Sequence, residues 1–348
     1  MNWRESFASV TSVDEIKEKR EQFFQDLIKT LNHVEMEHFA DEISCIHNAC
    51  IVRLWEFVKQ GNSLQMEWVL FGSGGRREAT LFTDQDNGAI FPSFNTNTNS
   101  HETLPMYRSL MERMAKQLEL AGYAPCSGFV MAVNPRWNGT VEEFFARIDH
   151  YLAYPDWDNA RFLMIMADMR SLTNHQPNVE QIRTYMLDRI PHAKFLHWLV
   201  ANHSWSQSIA LNVLGNIRYI SGGPYRGWFP LKEGLYLPVI NMIRLWSLAF
   251  GFDAYSSWER SRLLFERGVW DRELYQNVKR TLDLCYNLRI VRQLQIAKEQ
   301  PTLSFVTDED LYVDLENPEH TWKDRVQQAL LTAKQLQKLT SSHFRKPR

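Results

Sequence analysis

The sequence predicts an α+β protein in which a small α/β unit lies between two helical segments. Short β-prone runs are confined to the middle of the chain, at residues 66–71 and 87–91. Apolar residues at helical spacing dominate residues 13–60 and recur from about residue 178 onward. The predicted division is an N-terminal helical segment, an α/β domain and a C-terminal helical domain, at residues 1–62, 63–175 and 176–348.

Local signals predict the elements in order. The breaker Gly61-Asn62-Ser63 separates the N-terminal helices from the first strand. After the second strand, the Asn-, Thr- and Ser-rich stretch 93–102 predicts an exposed loop, and an amphipathic helix follows over 104–120. We expect a third strand over 128–133 and none beyond residue 178. The other predicted helices are 141–154, 159–169, 180–190, 194–214, 234–250, 257–265, 271–298 and 322–339.

Composition excludes several classes of protein. The formal net charge of −2 gives no reason to expect a nucleic-acid partner. The cysteines form no CxxC pair and no zinc spacing, so we expect free thiols in a reducing cytoplasm. We expect no signal peptide and no membrane span, because the N-terminus lacks an apolar core and no apolar run reaches about 20 residues. The four cysteines are Cys45, Cys50, Cys126 and Cys285.

A glycine-rich turn follows the first predicted strand. Residues 72–75 read Gly-Ser-Gly-Gly and lead into a short helical turn. Glycine allows close approach of a ligand, and N–H groups at a helix start suit a phosphate. Ser73 adds a hydroxyl donor, Arg76 and Arg77 could donate charge-assisted bonds to phosphate, and Glu78 could order an arginine or cap the loop. Such a turn by itself is most often only a loop.

Two carboxylates begin the second predicted strand. Asp84 and Asp86 are two residues apart, so their side chains share one face, roughly 6–7 Å apart. Carboxylates so placed can share divalent cations, and Mg²⁺ typically binds one or two carboxylates together with substrate phosphates. A hairpin of the two strands would bring this pair and the glycine turn to one cleft. An Asp-x-Asp pair alone is most often a solvated turn, but the combination predicts a nucleotide site.

The stretch from Gly72 to Asn87 resembles the signature of a bacterial nucleotidyltransferase family in the DNA polymerase beta superfamily. It reads Gly-Ser-x-Gly-Arg-x-Glu-x-Thr-Leu-x-Thr-Asp-Gln-Asp-Asn. Members are often described as signal-transduction proteins, are often fused to CBS or cyclic-nucleotide-binding domains, and are related to PII-uridylyltransferases. Residues 122–128 and 167–170 resemble later blocks of the family. The resemblance implies a small mixed-sheet nucleotidyltransferase domain packed with N-terminal helices and a C-terminal helical bundle.

The resemblance also implies roles for individual residues. Gly72 and Ser73 would hold the triphosphate, while Asp84 and Asp86 would ligate Mg²⁺ or Mn²⁺ in catalysis. Further candidates for nucleotide binding within the signature are Gly75, Arg76 and Asn87.

A third catalytic carboxylate is usual in the superfamily, and we assign it to Asp168. An ion pair with Arg170 is an equal alternative, and Glu142 and Glu143 are the next candidates.

The function implied is Mg²⁺-dependent transfer of a nucleoside monophosphate from a nucleoside triphosphate to a protein or small-molecule acceptor, in signalling. A protein uridylyl- or adenylyltransferase is the nearest type. The alternative is a catalytically inactive nucleotide-binding sensor or protein-interaction module, because the third carboxylate is not fixed by the sequence.

Overall fold

The computed structural model describes residues 3–31, 33–61, 64–93, 100–173, 177–206, 209–299, 311–316 and 322–347. These residues form a mixture of helices and short strands, which confirms the α+β class. They group into two compact units. The first comprises the described residues of Met1–Arg147 and Asp168–Tyr185, and the second those of Ile148–Ala167, Met186–Thr302 and Thr307–Arg348. The three-part division drawn from the sequence stays a prediction.

The first unit contains a mixed four-stranded sheet and a separate pair of strands. Its strands are β1 Glu67–Leu70, β2 Asp84–Gln85, β3 Asn87–Ile90, β4 Ala124–Pro125, β5 Asn138–Gly139 and β6 Arg170–Ser171. In the sheet the order is β5-β3-β1-β6, with β1 antiparallel to β3 and β6, and β3 parallel to β5. The strands β2 and β4 pair with each other in parallel. Every residue of β1 and β3 is buried, so this hairpin is the interior support of the unit.

Helices surround this sheet in the first unit. They are α1 Trp3–Ala8, α2 Val13–Ile28, α3 Met36–Lys59, the short turn α4 Gly72–Gly75, α5 Ser100–Leu120 and α6 Val141–Ala153, whose last turns belong to the second unit. The Ser12 hydroxyl accepts a bond from the Glu15 N–H at 3.2 Å, which caps the start of α2. Ile43, Ile46 and Leu54 follow helical spacing on α3 and are fully buried. This apolar face attaches α3 to the rest of the unit.

The second unit is almost entirely helical. It contains α7 Trp157–Met166, the end of α8 Asn178–Arg189, α9 Lys194–Ser206, α10 Leu237–Ala249, α11 Ser257–Glu266, α12 Arg272–Glu299, α13 Trp322–His343 and the strands β7 Phe229–Pro230 and β8 Tyr312–Val313. α10 is buried along most of its length. Two of its polar residues are bonded to each other, since Arg244 Nη1 donates to Asn241 Oδ1 at 2.9 Å. None of the described helices combines the length and apolar composition needed to cross a membrane.

Several sequence-based predictions need correction. The expected third strand over 128–133 is wrong: these residues form turns, and the flanking strands are β4 and β5. The reason is tertiary, since this stretch is held by backbone and side-chain bonds to Asn87. A two-stranded sheet, β7 with β8, also occurs beyond residue 178, where none was expected. The loop expected over 93–102 falls mostly outside the described residues, and its last three residues belong to α5.

Candidate functional site

The glycine turn connects β1 to the site. The Gly75 N–H donates to Phe71 O at 2.8 Å, and the Phe71 N–H donates to Asp86 O at 3.0 Å. Gly72 has φ +54°, a backbone conformation that favours glycine, and a Cβ there would overlap Asp86 Oδ2 unless that carboxylate rotated away. The turn predicted from the sequence is thus confirmed as α4. Its first residue lies directly against the Asp86 carboxylate.

Asp84 and Asp86 lie together, as the strand pattern predicted. We call these two residues the carboxylate pair; both are half-buried. Between them, Gln85 points into the interior, where its Nε2 donates to Ala115 O at 3.1 Å and to Tyr123 O at 2.9 Å. Because side chains alternate along a strand, anchoring Gln85 inside directs both carboxylates to the opposite face.

Cys126 completes this group, and the sequence gave it no role. One ligand atom each of Asp84, Asp86 and Cys126 lies within 4.8 Å of the others. Burial, followed by the charges of Asp86 and Asp84, raises the pKa of the Cys126 thiol well above its usual value. Cys126 lies in the second block that resembles the family, which was the available signal.

Asp168 lies in a different environment. It is fully buried, and its Oδ2 accepts from Arg76 Nη1 at 2.6 Å. Arg76 Nε also binds Glu78 Oε2 at 2.8 Å, as expected of a glutamate that orders an arginine. We call Arg76, Glu78 and Asp168 the ion cluster. Within the described residues, Asp168 is not part of the group formed by the carboxylate pair and Cys126, and the Arg76 guanidinium lies in the interior rather than at the surface.

Arg170 supports the glycine turn from the side of β6. Its Nη2 donates to Gly74 O at 2.7 Å and to Asn48 Oδ1 at 3.0 Å, and its Nε donates to Gly75 O at 3.2 Å. Gly75 is buried, and a Cβ there would overlap Asp168 O. The turn is therefore fixed through its carbonyl groups and by close backbone approach.

Asn87, assigned to nucleotide binding from the sequence, is buried. Its Oδ1 accepts from the Ala132 N–H at 2.8 Å, and its own N–H donates to Val130 O at 2.9 Å. These bonds hold the segment that carries Cys126 against β3. Trp137 is likewise buried and packs on Phe71 with ring centroids 5.1 Å apart, so it belongs to a structural turn.

A small cavity of about 30 Å³ adjoins β2, and Asp84, Gln85 and Asp86 are among the residues that line it. Ser44 Oγ, Trp68 Nε1 and Gln85 Oε1 belong to residues that line it, and each is buried without a hydrogen-bond partner among the described residues. This volume suits one water molecule and is far below the roughly 300 Å³ of the smallest ordinary ligand pockets. A nucleotide would therefore lie over the exposed side of the carboxylate pair.

His47 supports the same region from α3. Its ring nitrogens lie 2.9 Å from the Tyr123 hydroxyl and 2.9 Å from Thr80 O. Burial, and then the charge of Arg20, lowers its pKa to about 3. His47 is therefore a neutral side chain at ordinary pH.

The carboxylate pair fits a divalent metal ion. Two carboxylates with converging oxygens, beside a turn with no side chain at Gly72, are the ligands that Mg²⁺ takes together with substrate phosphates. Ser73 is half-buried next to Gly72, on the part of the turn that adjoins Asp86.

Comparison with known families gives two matches. Residues 19–158 match the family model described as "Putative nucleotidyltransferase DUF294". Residues 193–344 match the model described as "Putative nucleotidyltransferase substrate binding domain". A comparison with curated proteins found no match.

Proposed function

Because this chain belongs to the putative nucleotidyltransferase family that those two models describe, we propose that it moves a nucleoside monophosphate from a nucleoside triphosphate to a protein or small-molecule acceptor. The observation that carries the proposal is the carboxylate pair, which converges beside Gly72 on the half-exposed side of β2. The matched second model, named for substrate binding, supports an acceptor that contacts the C-terminal residues.

Asp84 and Asp86 would hold Mg²⁺ or Mn²⁺. When bound, the metal would neutralise charge on the attacking and leaving oxygens at the transferred phosphorus. Gln85 keeps both carboxylates on one face through its two interior bonds. The pair is thus oriented before any ligand arrives, which lowers the cost of assembling the site.

Gly72 and Ser73 would contact the triphosphate. Gly72 has no side chain to separate a phosphate from the Asp86 carboxylate, which a Cβ would overlap. Ser73 would supply its hydroxyl as a donor. Gly75 and Asn87 serve this site indirectly, since both are buried and fix the backbone on either side of it.

The ion cluster would act by positioning. Arg76 is bound to two interior carboxylates, so its guanidinium is engaged there rather than with a phosphate. Asp168 joins the turn to β6 through this pair and through the close approach of its backbone to Gly75. We therefore assign both residues to holding α4 in place, in preference to direct contact with the reacting groups.

Label transfer tests the activity. The full chain is incubated with each of four α-phosphate-labelled nucleoside triphosphates, Mg²⁺ and a cell lysate as acceptor source. We expect label on an acceptor with at least one nucleotide, loss of label with a chelator, and loss in Asp84→Asn and Asp86→Asn. The control is Asp26→Asn, which removes an exposed carboxylate of α2 paired with Lys29. Transfer that survives in both site variants would refute the assignment.

The position of Asp168 favours a second candidate, a nucleotide-binding sensor that does not catalyse transfer. A third carboxylate that stays in the interior would leave the site with two metal ligands and no acidic residue to accept the acceptor's proton. Calorimetry separates the two functions: Mg²⁺-dependent nucleotide binding without pyrophosphate release supports the sensor, and pyrophosphate release supports the transferase.

A further inference from the structure

The sulfur of Cys126 lies beside the carboxylate pair, where it could be a further metal ligand. Its Sγ and one oxygen each of Asp84 and Asp86 lie within 4.8 Å of one another, and all three residues are half-buried. Within the described part of the chain, no other group of three or more His, Cys, Asp and Glu side chains is close enough to share a metal ion. Any cation held by the pair would therefore have a thiol for a neighbour.

Strand pairing accounts for the position of the thiol. In the parallel register of β2 and β4, Gln85 pairs with Pro125, and the residues that follow directly are Asp86 and Cys126. Side chains alternate along extended chains, so these two point to the face opposite Gln85. The two-strand register thus delivers one carboxylate and one thiol to the same place.

Backbone bonds around Cys126 then hold it there. The Phe129 N–H donates to Cys126 O at 2.9 Å, which closes a tight turn immediately after the cysteine. Asn87 holds the next residues through its bonds to Val130 and Ala132. The sulfur is therefore placed by ordered backbone on both sides rather than by a freely moving loop.

The donor set distinguishes between metals. Mg²⁺ takes oxygen ligands, whereas a thiolate suits Zn²⁺, Co²⁺ and Cd²⁺. Zn²⁺ binds oxygen at about 2.0–2.2 Å and sulfur at about 2.3 Å, so donors on one tetrahedral ion stand roughly 3.3–3.7 Å apart. The ligand atoms, which already lie within 4.8 Å of one another, would have to approach by about 1 Å to share one such ion. Three protein ligands with an open fourth position are also the ligand count of catalytic zinc sites.

We propose that Cys126 is a third protein ligand at the carboxylate pair, so that the site binds a thiophilic divalent cation of the Zn²⁺ class, which competes there with Mg²⁺. As the sulfur–metal bond forms, the S–H bond breaks and its proton passes to solvent. Mg²⁺ is held by the carboxylates alone. The competition with Mg²⁺ rests on the proposed function, but the three-ligand site itself needs no nucleotide.

Cadmium titration of the metal-free full chain tests the site by ultraviolet absorbance. A sulfur-to-cadmium charge-transfer band appears only when a thiolate is a ligand. We expect a saturable band in the wild type and its loss in Cys126→Ser and Cys126→Ala. In Asp84→Asn and Asp86→Asn, Cd²⁺ affinity should fall by at least about tenfold. Excess Mg²⁺ should displace Cd²⁺ only at much higher concentration.

Cys45→Ser is the matched control. Cys45 is also half-buried and has acidic neighbours in Asp41 and Glu42, but it belongs to no metal-binding group within the described residues. The band should persist in this variant. Alkylation of the wild type, measured by mass spectrometry, provides a test that needs no variant. Cd²⁺ should protect Cys126 from alkylation, while Cys45 should remain as reactive as before.

Either of two results overturns the proposal: no charge-transfer band in the wild type, or alkylation of Cys126 that Cd²⁺ leaves unchanged. Circular dichroism of the variants shows whether each is folded before its titration is compared. Failure of the proposed function would look different, since label transfer would be absent while the cadmium band is present.

Discussion

The turn α4 adjoins two acidic groups that differ in burial and in charge balance. At its first residue, Gly72 lies against the carboxylate pair, which is half-buried and shares its space with Cys126. At its last residue, Gly75 lies against the backbone of Asp168, whose carboxylate is fully buried in the ion cluster. The acids around this one turn therefore differ in environment, although Glu78, Asp84 and Asp86 come from the signature and Asp168 does not. Glu78 and Asp168 are balanced by the interior Arg76, whereas Asp84 and Asp86 are half-exposed, and these are the acids that we propose to bind a cation.

The largest effect on stability is expected when the carboxylate of Asp168 is removed from the ion cluster. We expect Asp168→Ala to lower the free energy of unfolding by about 3–5 kcal/mol, because Arg76 would be left buried with one carboxylate fewer. Urea denaturation measures the change. The exposed Asp26→Asn, which removes a surface partner of Lys29, should show no measurable change. A variant of Asp168 as stable as the wild type would mean that the ion cluster does not support the turn.

The next largest effect is expected at the buried end of the turn. In Gly75→Ala the added Cβ would meet Asp168 O and Leu70 O, which are backbone atoms and cannot rotate away. We expect a loss of about 3 kcal/mol in thermal or urea unfolding. Gly222→Ala is the control, since a Cβ there meets no atom within 4 Å. Equal stability of the two variants would contradict the close approach seen at Gly75.

A pH-dependent effect is expected at His47, behind the carboxylate pair. Its folded pKa of about 3 lies below the value of 6.5 of an unperturbed histidine, so between them only the unfolded chain binds the proton. The contribution of His47 to the free energy of unfolding is therefore fully present above about pH 6.5. It is lost as the pH falls, by about 2 kcal/mol at pH 5.

The comparison of His47→Gln with the wild type isolates this contribution. Its melting temperature relative to the wild type should improve as the pH is lowered from about 7.5 to about 5. The exposed His150→Gln should show no such trend. A pH-independent difference between His47→Gln and the wild type would show that the ring has the same pKa in the folded and unfolded chains.

The smallest effect on stability is expected at the carboxylate pair itself. Without metal, Asp86→Asn should unfold at the same temperature as the wild type or slightly higher, because two neighbouring carboxylates repel. Stabilisation by Mg²⁺ and nucleotide should disappear in the variant. Thermal melts with and without Mg²⁺ give both readings. A lower melting temperature in the metal-free variant would place Asp86 with the ion cluster, as a structural residue.

Local sequence predicted the elements around the site well. The β-prone run before the glycines, the Gly-Ser-Gly-Gly turn and the run from Asn87 appear as β1, α4 and β3. Local pattern also placed Asp84 and Asp86 on one face, since two-residue alternation is a property of the extended chain itself. Their convergence is confirmed by the group that they form with Cys126.

Local sequence failed where partners are distant in the chain. Residues 128–133 have the composition of a strand, but their backbone is bound to Asn87, about 40 residues earlier, and they form turns. Arg76 and Asp168 are 92 positions apart, so their ion pair left no local pattern. The site roles of Asp168, Arg76, Gly75 and Asn87 remain predictions, and their burial now favours positioning over contact with a nucleotide.

Local sequence was sufficient to predict the class of fold, the order of the central elements and the signature that unites a glycine turn with two carboxylates. These follow from backbone preferences and side-chain alternation over a few neighbouring residues. The folded chain was needed to show which charges stay half-exposed, which are neutralised inside, and that Cys126 lies beside the pair. Those outcomes depend on the register of β2 with β4 and on contacts between segments far apart in the chain. Burial and ion pairing are properties of the packed protein, and local spacing does not encode them.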